Sequence, residues 1–244
     1  MGSLKWLILA GITVWMAVLA LPDKKLHVVF CDVGQGDAIL ISRGTDQLLV
    51  DGGPDDKVIR CLSDHMPFYD IRIEAVVLTH DDSDHSRGIS YVGDRYNVIY
   101  FVTDLVRGDK VMVGGFEYRT EWPAENVINN KENQEDNAQA ITGRVNYGRF
   151  SLLLTSDTPT KLYPAETGIE VVKVPHHGSK TDFDPGWWRQ VQPALAVVSV
   201  GKNSYGHPVP EVIKSLNDLG IRVLRTDEEG DIEIVSDGLK WWVK

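Results

Sequence analysis

The chain has 244 residues, 43% of them apolar, which is enough for a sizeable core in one domain or two small ones. Its formal net charge of -10 argues against a broad basic surface that holds nucleic acid through phosphate contacts. The charge does not exclude a polyanionic substrate, because bound dications can reverse the local field.

The N-terminal segment is apolar and uncharged from Trp6 to Leu21. This run is slightly shorter than the ~20 residues of a typical membrane-spanning helix. It also resembles the apolar part of a signal peptide, with a small-residue cleavage site at Val18-x-Ala20. We therefore expect residues 1–25 to contain an apolar helix and to act as a signal peptide or a membrane anchor. Residues 26–244 would then form a folded domain outside the cytoplasm, either anchored or secreted.

The chain has two cysteines, Cys31 and Cys61, and they form no C-x-x-C pair. Outside the cytosol they could form a disulfide, but we expect both to be small buried residues.

Strand patterns dominate the chain after the apolar segment, with two helical patterns among them. A polar loop is predicted over Pro123–Asp136. The mixture predicts layers of helix and sheet. The helices are predicted over Lys57–Met66 and Val209–Leu219, and the strands over Leu26–Val33, Ala38–Ser42, Gln47–Val50, Ala75–Thr79, Asn97–Val102, Lys110–Val113, Phe116–Arg119, Ala138–Val145, Phe150–Thr155, Ile169–Val174, Ala194–Val200, Val223–Thr226, Ile232–Val235 and Leu239–Val243.

The segment His80–His85 places two histidines and three aspartates directly after the apolar run Ala75–Thr79. Loops at the ends of buried strands are where rigid scaffolds present functional groups. Imidazoles and carboxylates suit zinc, manganese or iron, and the segment offers no thiolate that would favour a softer metal. The pattern predicts a metal site.

Three other predicted strands also end in polar groups. Asp157 follows one strand, His176 and His177 follow another, and His207 follows a third. Each of these alone is better explained by a capping aspartate or a surface histidine. Together they favour a metal site assembled from several strand-end loops.

Five short motifs then carry a resemblance to a known family. They are Asp32–Ala38 (DVGQGDA), Leu49–Gly53 (LVDGG), Leu78–His85 (LTHDDSDH), Val174–Ser179 (VPHHGS) and Tyr205–Pro208 (YGHP). The chain resembles metallo-β-lactamase-fold hydrolases, and most closely the hydrolase domain of ComEC-type competence proteins. The resemblance covers residues 26–244. It implies a four-layer αββα sandwich with the site at one edge of two sheets.

The resemblance also implies a role for each residue of the site. One or two divalent metal ions would be bound, with His80 and Asp82 at the first position. Asp84 and His85 would hold the second ion. Asp157 would bridge both ions. Either His176 or His177 would complete the second position, and we favour His177. Asp51 would support the site from beneath.

Three departures from the wider family shape the expected metal. Asp82 stands where the middle histidine is usual, as in the ComEC-like branch. Asn137 lies in the segment that elsewhere supplies another histidine, and Ser156 replaces the usual glycine before Asp157. The first position would therefore have one nitrogen ligand fewer. An oxygen-rich site makes manganese as plausible as zinc.

The expected chemistry is hydrolysis by a metal-activated water. Asp84 or Asp157 would accept the proton from that water, and His207 would donate one to the leaving group or bind a phosphate oxygen. The expected substrate contacts are Asn137, Ser179, Lys180, Lys202 and Tyr205. For Lys180 and Lys202, ordinary solvated lysines remain an equal alternative.

The resemblance favours a phosphodiesterase or nuclease acting on DNA, with membrane contact through the N-terminal segment if that segment is retained. Two alternatives stay open: another metallo-hydrolase, such as a phosphorylcholine esterase, lactonase or β-lactamase, and a non-catalytic binding module with a vestigial site. The pairs Trp187-Trp188 and Trp241-Trp242 could stack on bases, although packing is the more favoured explanation. The sequence does not predict an oligomeric state.

Overall fold

The computed structural model describes residues 21–128 and 136–244, together with residues 5, 6 and 11. The apolar helix expected within residues 1–25 therefore lies outside the described residues. Within the described part of the chain, no helix combines the length and the apolar character needed to cross a bilayer.

The first sheet has seven strands in the order β14-β13-β1-β2-β3-β4-β5. Strands β3, β4 and β5 run parallel to one another, and the other neighbours are antiparallel. The strands are β1 (Leu26–Phe30), β2 (Ile39–Arg43), β3 (Asp46–Val50), β4 (Arg72–Val77), β5 (Asn97–Val102), β13 (Ile232–Ser236) and β14 (Trp241–Val243).

The second sheet also has seven strands, in the order β12-β11-β10-β9-β8-β7-β6. Strands β9 to β12 are parallel, and β6 to β9 form antiparallel pairs. The strands are β6 (Lys110–Val113), β7 (Phe116–Trp122), β8 (Thr142–Tyr147), β9 (Phe150–Leu154), β10 (Val171–Lys173), β11 (Leu195–Val198) and β12 (Arg222–Arg225).

Seven α-helices are described, and short 3₁₀ turns lie at 136–139, Thr160–Leu162 and Pro175–Gly178. The helices are α1 (Lys57–His65), α2 (Ser83–Ser86), α3 (Gly88–Arg95), α4 (Glu125–Ile128), α5 (Pro185–Val191), α6 (Pro210–Asp218) and α7 (Thr226–Glu229).

The two sheets pack face to face, and helices cover both outer faces. Alternation along β9 shows the reason: Leu152 and Leu154 point into the core between the sheets, while Leu153 faces the outer layer. Helices α1 and α3 pack on the outside of the first sheet, and α5 and α6 on the outside of the second. The predicted four-layer αββα sandwich is therefore confirmed.

Five helices were missed by the periodicity analysis: α2, α3, α4, which lies within the loop predicted over Pro123–Asp136, α5 and α7. The first two are short and polar, and α5 begins at a proline after an Asp184 side chain that accepts a hydrogen bond from Gly186 N at 2.8 Å. Both tryptophans of α5 are buried, so packing is the correct interpretation of Trp187-Trp188. The strand predicted over Ala138–Val145 was placed too early, because residues 136–139 form a 3₁₀ turn.

The two cysteines form a disulfide, with Cα atoms 5.7 Å apart. The expectation that both are buried holds, since their exposed fractions are 1% and 2%. The disulfide, which the sequence left as a possibility, forms because Cys31, directly after β1, lies against Cys61 in α1. The bond ties the loop after β1 to the outer helix layer.

Candidate metal centre

The predicted site residues follow the carboxyl ends of parallel strands in both sheets. Asp51 comes directly after β3, and the His80–His85 segment follows β4. Asp157 follows β9, and His176 and His177 follow β10. Because carboxyl ends of parallel strands share one edge of a sheet, these loops meet where the edges of the two sheets adjoin.

The backbone is strained at this edge. Four non-glycine residues have positive φ there: Asp51 at 60°, Ser156 at 50°, His176 at 45° and His177 at 52°. Among the described residues the only other non-glycine with positive φ is Gln192, at the end of α5. Such conformations cost about 1–3 kcal/mol each and concentrate at functional sites.

Two glycines let the ligand-bearing loops approach one another closely. A Cβ on Gly36 would lie 2.0 Å from the carbonyl oxygen of Asp84, and a Cβ on Gly88 would lie 1.7 Å from that of Gly52. Backbone hydrogen bonds join the same loops, with Gly52 N donating to His85 O at 2.7 Å. The segment after β4 is thereby held against the loops that follow β1 and β3.

One group of ligand atoms surrounds Oδ1 of Asp157. His85 Nε2 lies 3.4 Å from this oxygen and His177 Nε2 lies 3.6 Å from it. His177 Nε2 is also 3.3 Å from Oδ2 of Asp84. Ligand atoms that share an ion at bond lengths of about 2.0–2.1 Å lie about 3.3 Å apart in a tetrahedral arrangement, so these spacings fit a small divalent ion.

A second, looser group faces the other oxygen of Asp157. His80 Nε2 lies 4.0 Å from Oδ2 and 3.5 Å from a carboxylate oxygen of Asp82. His176 Nε2 approaches Oδ2 to 3.7 Å. The two carboxylate oxygens of Asp157 thus face two separate clusters, which is the arrangement that a bridging ligand requires.

Hydrogen bonds fix which nitrogen of each imidazole faces the centre. His177 Nδ1 donates to the carbonyl oxygen of Ser199 at 2.8 Å, and His85 Nδ1 donates to Oδ2 of Asp51 at 2.8 Å. A nitrogen that donates carries the proton in the neutral ring, so in that form Nε2 of both residues presents a lone pair. A carboxylate or carbonyl behind a ligating histidine is the usual support of a metal site.

His80 is oriented by a chain of hydroxyl groups. Thr79 Oγ1 donates to Asp51 Oδ2 at 2.8 Å, and Ser156 Oγ donates to Thr79 Oγ1 at 2.7 Å. The threonine oxygen can therefore accept from His80 Nδ1, which lies 3.0 Å away. This leaves Nε2 of His80 as a third lone pair, and it places Asp51 beneath both His80 and His85.

A metal ion would satisfy polar atoms that the fold leaves without a partner. Nε2 of His80, His85 and His177 and Oδ1 of Asp157 are buried and make no hydrogen bond. Buried polar atoms without partners are rare and costly, so four that face one place require an explanation. The donor set of imidazole nitrogens and carboxylate oxygens suits zinc or manganese.

The electrostatic field of the site keeps its carboxylates charged and shifts the pKa values of its histidines. Burial opposes charge on His85, but the carboxylates of Asp157 and Asp51 outweigh it and raise the pKa of His85 well above the ordinary value. Burial also opposes charge on Asp84, yet contact with His177 and the field of His85 lower its pKa to about 2. Burial and then the charge of His85 lower the pKa of His80.

His176 and His207 lie at the exposed rim. His176 Nδ1 contacts Asp182 Oδ2 at 2.8 Å and the side-chain amide of Asn137 at 3.2 Å. The His207 ring is 5.4 Å from that of His176 and 5.9 Å from that of Tyr205, between ring centres. Burial and then the neighbouring imidazoles lower the pKa of His207.

The other predicted substrate contacts lie around the same rim. Lys180, Lys202 and Tyr205 are exposed, whereas Ser179 is buried and its Oγ contacts Thr181 Oγ1 at 2.8 Å. A cavity of about 410 Å³ opens beside His80. Its wall carries the acidic residues Asp81, Asp82 and Asp104 together with apolar side chains of Leu78, Leu105 and Ile128, and no lysine or arginine is among the described residues that line it.

Sequence reasoning assigned no role to Asp37, Lys173 or Ser199, although all three lie within the site. Asp37 appeared only as part of a motif. The signal for Lys173 was a charge inside the apolar strand Ile169–Val174, since lysine is almost never fully buried without a partner. Ser199 acts through its backbone carbonyl, which no residue pattern reveals.

Comparison with known proteins gives a consistent family. The family described as "Metallo-beta-lactamase superfamily" matches residues 31–150. The chain is 29% identical to competence protein ComA of Neisseria gonorrhoeae, covering 96% of this chain and 36% of that protein. It is 28% identical to recombination protein 2 of Haemophilus influenzae, covering 83% and 28%. The chain therefore spans about a third of the length of these relatives.

Two solved structures share the fold. The metallo-β-lactamase fold protein YhfI of Bacillus subtilis matches with a TM-score of 0.58 at 12% identity. The match covers 87% of this chain and 100% of YhfI. A diphosphatase from the PhnP family matches with a TM-score of 0.52 at 13% identity, covering 86% and 98%. At these identities the likeness concerns architecture.

Proposed function

We propose that this chain, which carries a metallo-β-lactamase superfamily domain, is a metal-dependent hydrolase of phosphodiester bonds that acts on DNA outside the cytoplasm. The observation that carries the proposal is the convergence of three imidazole Nε2 atoms on Asp157, with each Nδ1 engaged elsewhere. The similarity to competence proteins supports DNA as the substrate, and the diphosphatase shows that the fold accommodates phosphate chemistry.

The proposed ligands divide between two ions. His80 and Asp82 would hold the first, and His176 would contribute the nitrogen that Asn137 does not supply. A second ion would be held by Asp84, His85 and His177, and Asp157 would offer one carboxylate oxygen to each group of ligands.

A divalent ion at this place would supply Lewis acidity, which makes water more acidic and a phosphoryl group more electrophilic. The chain's own groups would then handle protons and substrate. Asp84, whose pKa is lowered to about 2, is a carboxylate at neutral pH and is partly open to solvent, so it would accept a hydrogen bond from a water molecule and orient it. His207, whose lowered pKa favours the neutral imidazole, would donate a hydrogen bond to a phosphate oxygen.

The charge around the rim suggests how a nucleic acid strand would lie. Lys180 and Lys202 are exposed near the His177 and His207 loops, where they would contact phosphates. The remaining carboxylates of the cavity beside His80, those of Asp81 and Asp104, would repel phosphate and favour a neutral part of the substrate.

The location outside the cytoplasm is supported by the disulfide between Cys31 and Cys61, because such bonds persist in oxidising compartments. We propose that residues 1–25 direct export and, if retained, hold the domain at a membrane.

The test combines metal analysis with a substrate panel. The purified protein should hold one or two divalent ions per chain and cleave single-stranded DNA or bis(p-nitrophenyl) phosphate with Mn²⁺ or Zn²⁺. The matched control is Asp157→Asn, which keeps the side-chain size and removes the charge shared by both clusters. Cleavage should fall by at least about a hundredfold in that variant, as for other electrostatic groups of active sites.

The remaining outcomes separate the alternatives. A metal-loaded protein that leaves both phosphodiesters intact but hydrolyses a lactone, a phosphorylcholine ester or a β-lactam is a different hydrolase. A protein that takes up no ion after careful preparation is a binding module with a vestigial site.

A further inference from the structure

Lys173 lies wholly buried beneath the candidate metal centre, at the last position of β10. Its Nζ lies 2.7 Å from Oδ2 of Asp37 and donates to the carbonyl oxygens of Ser156 at 2.9 Å and Val174 at 3.3 Å. An ammonium group has three N–H donors, so these three acceptors occupy all of them. Oδ1 of Asp157, 3.9 Å away, is therefore left free for an ion.

The three acceptors belong to three separate segments that carry site residues. Ser156 directly precedes Asp157, and Val174 directly precedes the turn with His176 and His177. Both carbonyls come from loops with strained backbone, since Ser156, His176 and His177 have positive φ. One ammonium thus connects the two ligand loops of the second sheet.

The third acceptor, Asp37, connects this pair to the first sheet. Its carboxylate oxygens lie 3.8 Å from Nδ1 of His85 and 3.7 Å from Nδ1 of His177. Its backbone N donates to Asp84 O at 3.1 Å, and its carbonyl accepts from Gly53 N at 2.7 Å. Asp37 therefore lies beneath the ligands of both sheets, and its contact with Lys173 links them.

Stability alone does not explain this ion pair. Replacing a buried ion pair by apolar residues of similar volume is often neutral or stabilising, because both charges must leave water. Val171, which shares the inner face of β10 with Lys173, is apolar and fully buried, so this face of the strand accommodates an apolar side chain. The pair therefore points to a role in the geometry of the site above it.

We propose that Lys173 is a positioning residue of the metal centre. Together with Asp37 it holds the loops after β9 and β10 so that Oδ1 of Asp157 and Nε2 of His177 face the same ion. The inference requires only the metal binding that the superfamily implies, and it does not depend on the substrate proposed above.

The experiment measures metal affinity in three variants, with Zn²⁺ and Mn²⁺ each competing against a chromophoric chelator. Lys173→Met removes the ammonium and keeps the chain length. Asp37→Asn with Lys173→Met also removes the carboxylate that would be left unpaired, so it remains measurable if the single variant does not fold. Leu26→Ala is the control, because it opens a cavity at the distant start of β1 and destabilises the fold without touching the site.

We expect the dissociation constant to rise at least about tenfold in both Lys173 variants, as for other residues that support metal ligands, and to stay at the wild-type value in Leu26→Ala. Thermal unfolding of the metal-free proteins is recorded alongside. A double variant that is less or equally stable and still binds both ions with wild-type affinity would overturn the proposal. Tighter binding in the Lys173 variants would also overturn it, since the ammonium would then act only by repelling the ions.

Discussion

At the residue scale, the properties of the site depend on hydrogen bonds behind the imidazoles. Asp51 accepts from the backbone N and the hydroxyl of Thr79 and from Nδ1 of His85. These bonds set the tautomer of His85 directly and that of His80 through the threonine. A side chain that touches no ion in this arrangement therefore decides which nitrogen two ligands present.

Asp51→Asn tests this dependence. The amide can turn its NH₂ group toward His85 Nδ1, which would favour the tautomer with its proton on Nε2. We expect metal affinity to fall about 10- to 100-fold while the fold is retained. Chelator competition measures the change, with Asp109→Asn as the control, because Asp109 accepts from Val106 N in a distant loop. Equal affinity in both variants would contradict the tautomer argument.

Much of this site could be predicted from residue patterns. The features that could not be predicted were missed for physical reasons. His80, Asp84, His85, Asp157 and His177 were expected to meet, and the structure brings them together. Their supporting partners could not be predicted, because a backbone carbonyl such as that of Ser199 exists at every position. The disulfide could not be predicted, because the sequence positions of two distant cysteines do not show whether the fold brings them together.

At the scale of elements, the close contact between α3 and the loop after β3 helps to hold the His80–His85 segment in place. Gly88 begins α3, and Gly88 N donates to Gly53 O at 2.9 Å. The periodicity analysis missed this helix, since a short polar helix stabilised by tertiary contacts has no strong pattern of its own.

Gly88→Ala should disturb the site through the backbone. Its Cβ would lie 1.7 Å from Gly52 O, so either the helix or the loop must move. We expect a loss of about 1–3 kcal/mol of unfolding free energy, as for other overpacked positions, together with weaker metal binding. The matched control is Gly93→Ala in the same helix, where a Cβ meets nothing within 4 Å and should stabilise the helix. Urea unfolding of both variants decides between these expectations.

At the scale of the whole molecule, the disulfide is a covalent link between the inner sheet edge and the outer helix layer. It closes a loop with a sequence separation of 30, which contains β2 and β3. The double variant Cys31→Ala/Cys61→Ala should lose about 3–4 kcal/mol of unfolding free energy by the loop-entropy argument. Equilibrium urea unfolding of the oxidised wild type and the variant gives the difference. A variant as stable as the wild type would show that this loop is already ordered in the unfolded chain.

The division of the ligands between the two sheets also determines when the metal site can be completed. His80, Asp84 and His85 lie in the first half of the chain, whereas Asp157 and His177 follow much later. During synthesis on a ribosome, or passage through a translocation pore in an unfolded state, the early ligands emerge without the residues that complete their coordination. Complete coordination of the ions therefore requires both halves of the chain, so the metal supply of the compartment in which the chain folds decides which ion is acquired.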